Sequence, residues 1–257
     1  MNNEEVAKRR AYRRKKARKR HFIAGFIIFL IFSVAIFVVL SLTVLFPIKT
    51  VIISGSNKYS ASTVSSATSF ANKNIFTFSE EKLLEDLRAK LPYVEKVKIK
   101  RQLPDTVKII ITDAKRYAVY ESDGKFAEVS EKGYVLETAD KLPENTLHIK
   151  AKNVKAELGK KIKLNKSDKQ AIKTITEELT KRNIKINSID VTDSLDINAK
   201  ILDGKFKVIF GSKTNLPQKC NHLEGMLNSF DDNVRGTVNL SMWTKTNRDG
   251  TLIRENS

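Results

Sequence analysis

Polar and apolar positions divide the 257-residue chain into three regimes. From Lys8 to Arg20 there are ten Lys or Arg and no acid. From Phe22 to Phe46, 25 residues pass without a charged side chain. From Pro47 onward, short alternations and helical periodicities are cut by turn residues. The middle regime predicts a membrane-spanning helix over 22–46. At about 1.5 Å per residue it would be roughly 37 Å long, enough to cross a hydrocarbon core about 30 Å thick with some tilt. A soluble core helix would show a polar face over so many turns. A cleaved signal peptide would have a shorter apolar stretch and a small-residue cleavage site. The run ends instead in "LSLTVLFPIK", with no such site and Pro47 next. The reading is an uncleaved anchor. Its N-terminal flank carries Arg13, Arg14, Lys15, Lys16, Arg18, Lys19 and Arg20, against Lys49 on the other side. The positive-inside rule then puts residues 1–21 in the cytoplasm and 47–257 outside, as a single-pass type II protein.

The stretch after the anchor alternates between strand and helix signals. Thr50 to Ile53 is a β-rich run closed by Gly55 and Asn57. Val64, Ala67 and Ala71 recur at helical spacing and predict a short helix. "SEEKLLEDLRAKLP" predicts a second, with Ser79 as N-cap and Glu80 and Glu81 in its first turn. Leu83, Leu84, Leu87 and Leu91 share a face, and Pro92 stops it. Then Val97 and Ile99 alternate with Lys96, Lys98 and Lys100, "RQLPD" turns the chain, and Val107, Ile109 and Ile111 alternate again. That is a hairpin with one apolar and one basic face. Strand, helix, helix, strand, strand makes a module of about 70 residues in which two helices cover a three-stranded sheet.

Beyond Tyr117 the pattern stays β. Asp123-Gly124 and Lys132-Gly133 each separate strand-like runs, and "NTLHIKA" is a further strand. "SDKQAIKTITEELTKRN" predicts a helix capped by Ser167, with Ile172, Ile175 and Leu179 on one face. Two strands and a hairpin turning at Asp203-Gly204 follow. In the next helix, Cys220, Leu223, Met226 and Leu227 line one side. "GTVNLSM" is read as the last strand and "WTKTNRDGTLIRENS" as a loose tail. The fold class is α+β: one transmembrane helix, a β-α-α-β-β module, then a larger, mostly antiparallel β domain with two helices. Domain limits are expected at 22–46, 47–116, 117–243 and 244–257.

A strand–helix–helix–strand–strand module just outside an anchor resembles a POTRA domain. The local wording matches as well. Gly55 ends the first strand, "NIF" (Asn74 to Phe76) precedes the second helix, and Arg101 and Pro104 occupy an Arg-x-x-Pro turn inside "LPYVEKVKIKRQLPDTVKIIITD". With the basic tail, the anchor and the β-rich region, the chain resembles the FtsQ/DivIB family of bacterial cell-division proteins, in its Gram-positive DivIB form. One departure is "RYAVY", with Tyr117 where the family often has Pro. The resemblance implies a non-enzymatic scaffold of the division septum that binds small coiled-coil division proteins of the DivIC/FtsB and FtsL types.

Charge and candidate chemistry agree with such a role. The first 20 residues carry ten bases against two acids, leaving about +10 of the formal +18 for the exported part. Beside a membrane, each such charge gains on the order of 1 kcal/mol from an anionic leaflet. A surface facing anionic lipid or wall polymer is implied rather than nucleic acid, with plain solubility as the alternative. The one cysteine, Cys220, excludes an intrachain disulfide, so the exported part is held by its core. His21, His148 and His222 show no metal-ligand spacing. Ser122 and Lys125 match Ser-x-x-Lys by letters only, across a hairpin turn and without the companion motifs. No catalytic, metal or cofactor site is expected. The alternative function is an anchored wall-binding or wall-modifying enzyme using the basic hairpin face. The candidate partner site is the final strand, Gly236, Thr237, Val238, Asn239, Leu240, Ser241 and Met242, with Trp243 at its end. It is read as a free edge open to strand addition because no later strand is expected to pair with it.

Overall fold

A computed structural model describes the chain except residues 1, 2, 42–45, 71, 72, 78, 123, 245, 247–249 and 255–257; in the first helix, side chains are described from Phe22 onward. That helix, α1 (Asn3–Leu40), runs unbroken from the basic flank into the apolar run. Its segment Phe22–Leu40 is long and apolar enough to cross a membrane. The expected end of the span, 42–45, and the side chains of Arg13, Arg14, Lys15, Lys16, Arg18, Lys19 and Arg20 lie outside the description.

The module after the anchor has the expected order. It comprises β1 (Thr50–Ser54), α2 (Ala61–Ala67), α3 (Glu80–Lys90), β2 (Val94–Gln102) and β3 (Thr106–Asp113). The sheet order is β1-β3-β2, with β1 parallel and β2 antiparallel to β3. Val97, Ile99, Val107, Ile109 and Ile111 are buried in one core with Val64, Leu83 and Leu87 from the helices. Lys98 and Lys100 stay exposed on the other face. Ser79 caps α3 by accepting from the Lys82 N–H, and Glu80 Oε1 accepts from the Ile99 N–H at 2.6 Å. Gly55 is required by geometry. It has φ +95°, and a Cβ there would fall 2.4 Å from the Ile111 carbonyl oxygen. Asp113 ties the loop after β1 to β3, accepting from Ser56 Oγ and from the backbone N–H groups of Asn57 and Lys58.

The rest of the chain forms a nine-stranded sheet. Its strands are β4 (Arg116–Ser122), β5 (Lys125–Ser130), β6 (Val135–Ala139), β7 (Leu147–Lys150), β8 (Ile186–Asp190), β9 (Ile197–Ile201), β10 (Phe206–Gly211), β11 (Gly236–Asn239) and β12 (Thr251–Arg254). Their spatial order is β12-β11-β10-β9-β8-β7-β4-β5-β6. Five of the eight neighbouring pairs are antiparallel, and β10-β11, β7-β8 and β4-β7 are parallel. The helices α4 (Lys166–Lys181) and α5 (Leu216–Asn228) bury Ile172, Ile175, Leu179, Leu216, Cys220 and Leu223 in a core with Ile149, Ile189, Ala199 and Val208 of the sheet.

Three expectations change. The N-cap of α4 is Asn165, whose side chain accepts from the Ser167 N–H, so Ser167 lies inside the first turn. The tail beyond residue 243 is not wholly loose, because Thr251–Arg254 forms β12. And Gly236 to Met242 is not the free edge. β12 pairs antiparallel with β11, from Gly236↔Arg254 to Asn239↔Thr251. Leu252 supplies the reason: it is half-buried and packs on the core, an apolar anchor for a four-residue strand.

Candidate functional site

The expected partner strand is divided by the fold. Gly236, Thr237, Val238 and Asn239 form β11, and Val238 is fully buried. Leu240 is buried too, its N–H bonded to the Ile209 carbonyl at 2.8 Å. Ser241 donates its N–H to Asn239 Oδ1 at 2.9 Å, turning the chain out of the sheet. Met242 is 74% exposed just beyond. Trp243, expected at the end of that strand as part of the partner site, is 6% exposed and part of the core, its ring 6.4 Å from that of His222. Its Nε1 is buried without a hydrogen-bond partner among the described residues.

Among the described residues, the free edge is β12 instead. Gly236 lets it approach: a Cβ there would sit 2.2 Å from the Ile253 carbonyl oxygen, at φ +149°. Gly250 leads into the strand against Met226 and Leu240. Ile253 is 61% exposed and Arg254 is exposed. The opposite edge, β6, is partly covered. The Val135 N–H bonds to the Lys160 carbonyl and the Gly159 N–H to the Val135 carbonyl. Glu137 of β6 is held by Tyr93 of the first module. Sequence reasoning missed β12 because its apolar content is two residues, Leu252 and Ile253. The available signal was Asp249-Gly250 before a β-branched run, a turn followed by a strand.

The hairpin residues singled out from the sequence have structural work. Arg101 Nε donates to the Ile75 carbonyl at 2.8 Å, binding the end of β2 to the segment before α3. Pro104 follows a cis peptide bond in the β2–β3 turn.

The residues that looked chemically capable are engaged elsewhere. Ser122 Oγ donates to the Val154 carbonyl at 2.9 Å, while Lys125 lies 3.9 Å from Asp140. Cys220 is fully buried, and burial pushes its thiol up to about 12, which removes the thiolate a nucleophile needs. Burial, then the charge of Lys150, holds His148 below the ordinary histidine value. No cluster of three metal-ligating side chains occurs among the described residues.

Residues 46–113 match the FtsQ-type POTRA domain family. Among curated relatives, the cell division protein DivIB of Clostridium botulinum is 27% identical over 217 residues, covering 80% of this chain and 82% of that protein. The cell division protein FtsQ of Streptomyces bingchenggensis is 24% identical over 152 residues, 59% of this chain and 57% of that protein, so the chain spans little more than half of that relative. Among solved structures, the major extracytoplasmic domain of the trans isomer of DivIB from Geobacillus stearothermophilus matches with 16% identity and a TM-score of 0.27, over 48% of this chain and 99% of that one. A POTRA domain of FtsQ type thus follows an apolar N-terminal helix, and the chain is similar along its length to cell-division proteins named FtsQ and DivIB.

Proposed function

We propose that the chain is a non-enzymatic scaffold of the division septum, anchored by α1 with its basic N-terminus in the cytoplasm and residues 47–257 outside. It assembles or stabilises the division complex by binding small coiled-coil division proteins of the DivIC/FtsB and FtsL types. The proposed domain limits are a POTRA module over 47–116 and a β domain that begins at 117 and runs through β12. The observation that carries the partner reading is the open backbone of β12. Every other strand of the nine-stranded sheet except β6 is paired on both sides, and β6 is partly covered. An extended partner segment added to β12 would gain main-chain hydrogen bonds along its length, with the exposed Ile253 beside it. The site proposed from the sequence, Gly236 to Trp243, thereby moves one strand outward, with β11 as the support of the docking strand.

The test places Pro at Leu252 and, separately, at Ile253 in the full-length protein. Successive N–H groups of a strand point to opposite sides, so one variant removes a ladder bond and the other an outward donor. The outward variant should keep its melting temperature and lose capture of a purified DivIC-type ectodomain. Full capture by both variants would overturn the docking reading. A reporter active only outside the membrane, fused at Ser257, tests the orientation separately.

A further inference from the structure

One face of the nine-stranded sheet is covered by α4 and α5; the other is open over β7 to β10. The strand registers place Lys207, Lys200, Ser188 and His148 side by side across four adjacent strands on that open face. Asn198, Asp190 and Lys150 form the next row. Together these side chains line a cleft of about 370 Å³. Lys200 stands directly opposite Lys207 on antiparallel neighbours. Like charges so placed cost stability, and no acid among the described residues pairs with either. Lys150 differs, since Glu121 lies 3.8 Å from its ammonium. Two polar atoms in the same cleft are also unpartnered among the described residues although inaccessible to solvent: His148 Nε2 and Asn198 Oδ1. Asn198 uses its other end to donate to the Asp196 carbonyl at 2.8 Å, which fixes Oδ1 as a spare acceptor. Asp190 Oδ1 accepts from both the N–H and the hydroxyl of Thr192. His148 is held by the edge of the Phe126 ring, centroids 5.9 Å apart.

An unneutralised cation pair beside a buried spare acceptor is complementary to a ligand with both anionic oxygens and hydroxyl donors. We propose that this cleft binds the phosphodiester backbone of an anionic wall polymer built from polyol units. The Lys200 and Lys207 ammonium groups meet phosphate oxygens, and the side chains that cover Asn198 Oδ1 and His148 Nε2 shift on binding, so that Asn198 Oδ1 accepts from a polyol hydroxyl above the His148 ring. A bound phosphate also removes the repulsion between the two lysines. The floor formed by Ser188, His148 and Asn198 is recessed and half-buried. A thin flexible polymer reaches it, whereas a bilayer surface would meet the lysine tips alone. Calling the ligand a wall polymer rests on the exported orientation proposed above; the binding chemistry does not.

The test uses the full-length protein in an uncharged detergent. Binding of a poly(glycerol phosphate) oligomer is compared with poly-glutamate of equal charge and with phosphatidylglycerol vesicles. Lys200→Gln/Lys207→Gln should weaken oligomer binding by about tenfold or more, the scale of losing charge-assisted hydrogen bonds. Asn198→Asp, which puts a negative charge on the floor, should weaken it comparably. The charge-matched control Lys169→Gln/Lys173→Gln, on the exposed side of α4, should stay within about twofold, because distant surface charges are screened. Equal losses in the two double variants would show a delocalised charge effect and overturn the site. Equal affinity for poly-glutamate would overturn the phosphodiester chemistry. Vesicle binding that falls with Lys200→Gln/Lys207→Gln, without oligomer binding, would replace the polymer by the membrane. None of these outcomes depends on membrane orientation, so failure here leaves the scaffold reading intact.

Discussion

The Tyr93 hydroxyl donates to Glu137 Oε2 at 2.8 Å, and the two residues belong to different sheets. Tyr93 precedes β2 of the POTRA module, and Glu137 lies on β6 at the far end of the large sheet. Around this bond, Lys132 reaches Glu95 at 3.0 Å. The Arg88 guanidinium lies 3.8 Å from the Tyr134 ring centroid while donating to the carbonyls of Val94 and Glu95. The modules are thus held by contacts of defined geometry, and not by the short link between β3 and β4 alone.

The junction has a tight point at Gly159. Its φ is +72°, and a Cβ would fall 2.3 Å from the Arg88 carbonyl oxygen. Gly159→Ala should push the modules apart while leaving each core intact. Calorimetry should show the unfolding transition broadening or splitting, and proteases should cut faster near residues 113–116. Tyr93→Phe should do less, since one hydrogen bond is worth about 0.5–1.5 kcal/mol. A Gly159→Ala protein with wild-type melting and cleavage would show that the junction tolerates the methyl group and is loosely held.

Leu87 is fully buried on α3, in one core with Val97 and Ile109. Leu87→Ala should cost about 2 to 5 kcal/mol, the range for a leucine truncated in a packed core. With no intrachain disulfide available, that is a large part of a typical stability of about 5 to 15 kcal/mol. Chemical denaturation followed by circular dichroism reads it. An unchanged midpoint would mean that the α3 face is assigned wrongly.

The POTRA module was legible because each of its strands buries one face. β2 and β3 alternate cleanly, and Ser79, Gly55 and Pro92 punctuate at the right places. The order of the large sheet was not legible. Pairing β4 with β7 passes over β5 and β6, and the parallel pairing of β10 with β11 crosses over α5; local periodicity carries no information about such long-range choices. β12 was lost because four residues with two apolar side chains fall below any periodic signal. The burial of Trp243 was not legible either, because it depends on the turn at Ser241, which folds the ring back beside His222. The open-face row of Lys207, Lys200, Ser188 and His148 becomes visible only once four registers are known.

Cys220 offers a test of core integrity. Its thiol is fully buried and pushed up from an ordinary value of 9.0 to about 12 by burial. At neutral pH a thiol reagent should label it only through unfolding, roughly a thousandfold or more slower than free cysteine, if stability is about 5 kcal/mol or higher. The sign of the pH effect follows. The folded pKa is raised, so above about pH 9 the unfolded chain loses the proton while the folded chain keeps it. This contribution is complete below pH 9 and is lost progressively towards pH 12. Cys220→Ser should flatten that alkaline decline relative to wild type. Rapid labelling at neutral pH in the native protein would contradict the buried placement.

The last prediction decides which strand the partner meets. Gly236 admits β12 at the edge, since a Cβ there would fall 2.2 Å from the Ile253 carbonyl oxygen and 3.0 Å from Arg254 Cα. At φ +149° the backbone is also strained for any residue with a side chain. Gly236→Ala should therefore release β12 while β11 keeps its parallel pairing with β10. Hydrogen exchange should rise at Leu252–Arg254 and remain slow at Val208 and Phe210 of β10. If the partner adds to β12, capture of a DivIC-type ectodomain should fall in step with the lost protection, because the template strand is no longer held. If capture rises instead, β12 is a displaceable cover and the docking strand is β11, Gly236 to Asn239. The two outcomes have opposite signs in one binding measurement. Unchanged capture with β12 released would place the partner on neither strand and turn attention to the basic face of the POTRA hairpin, where Lys98 and Lys100 are exposed.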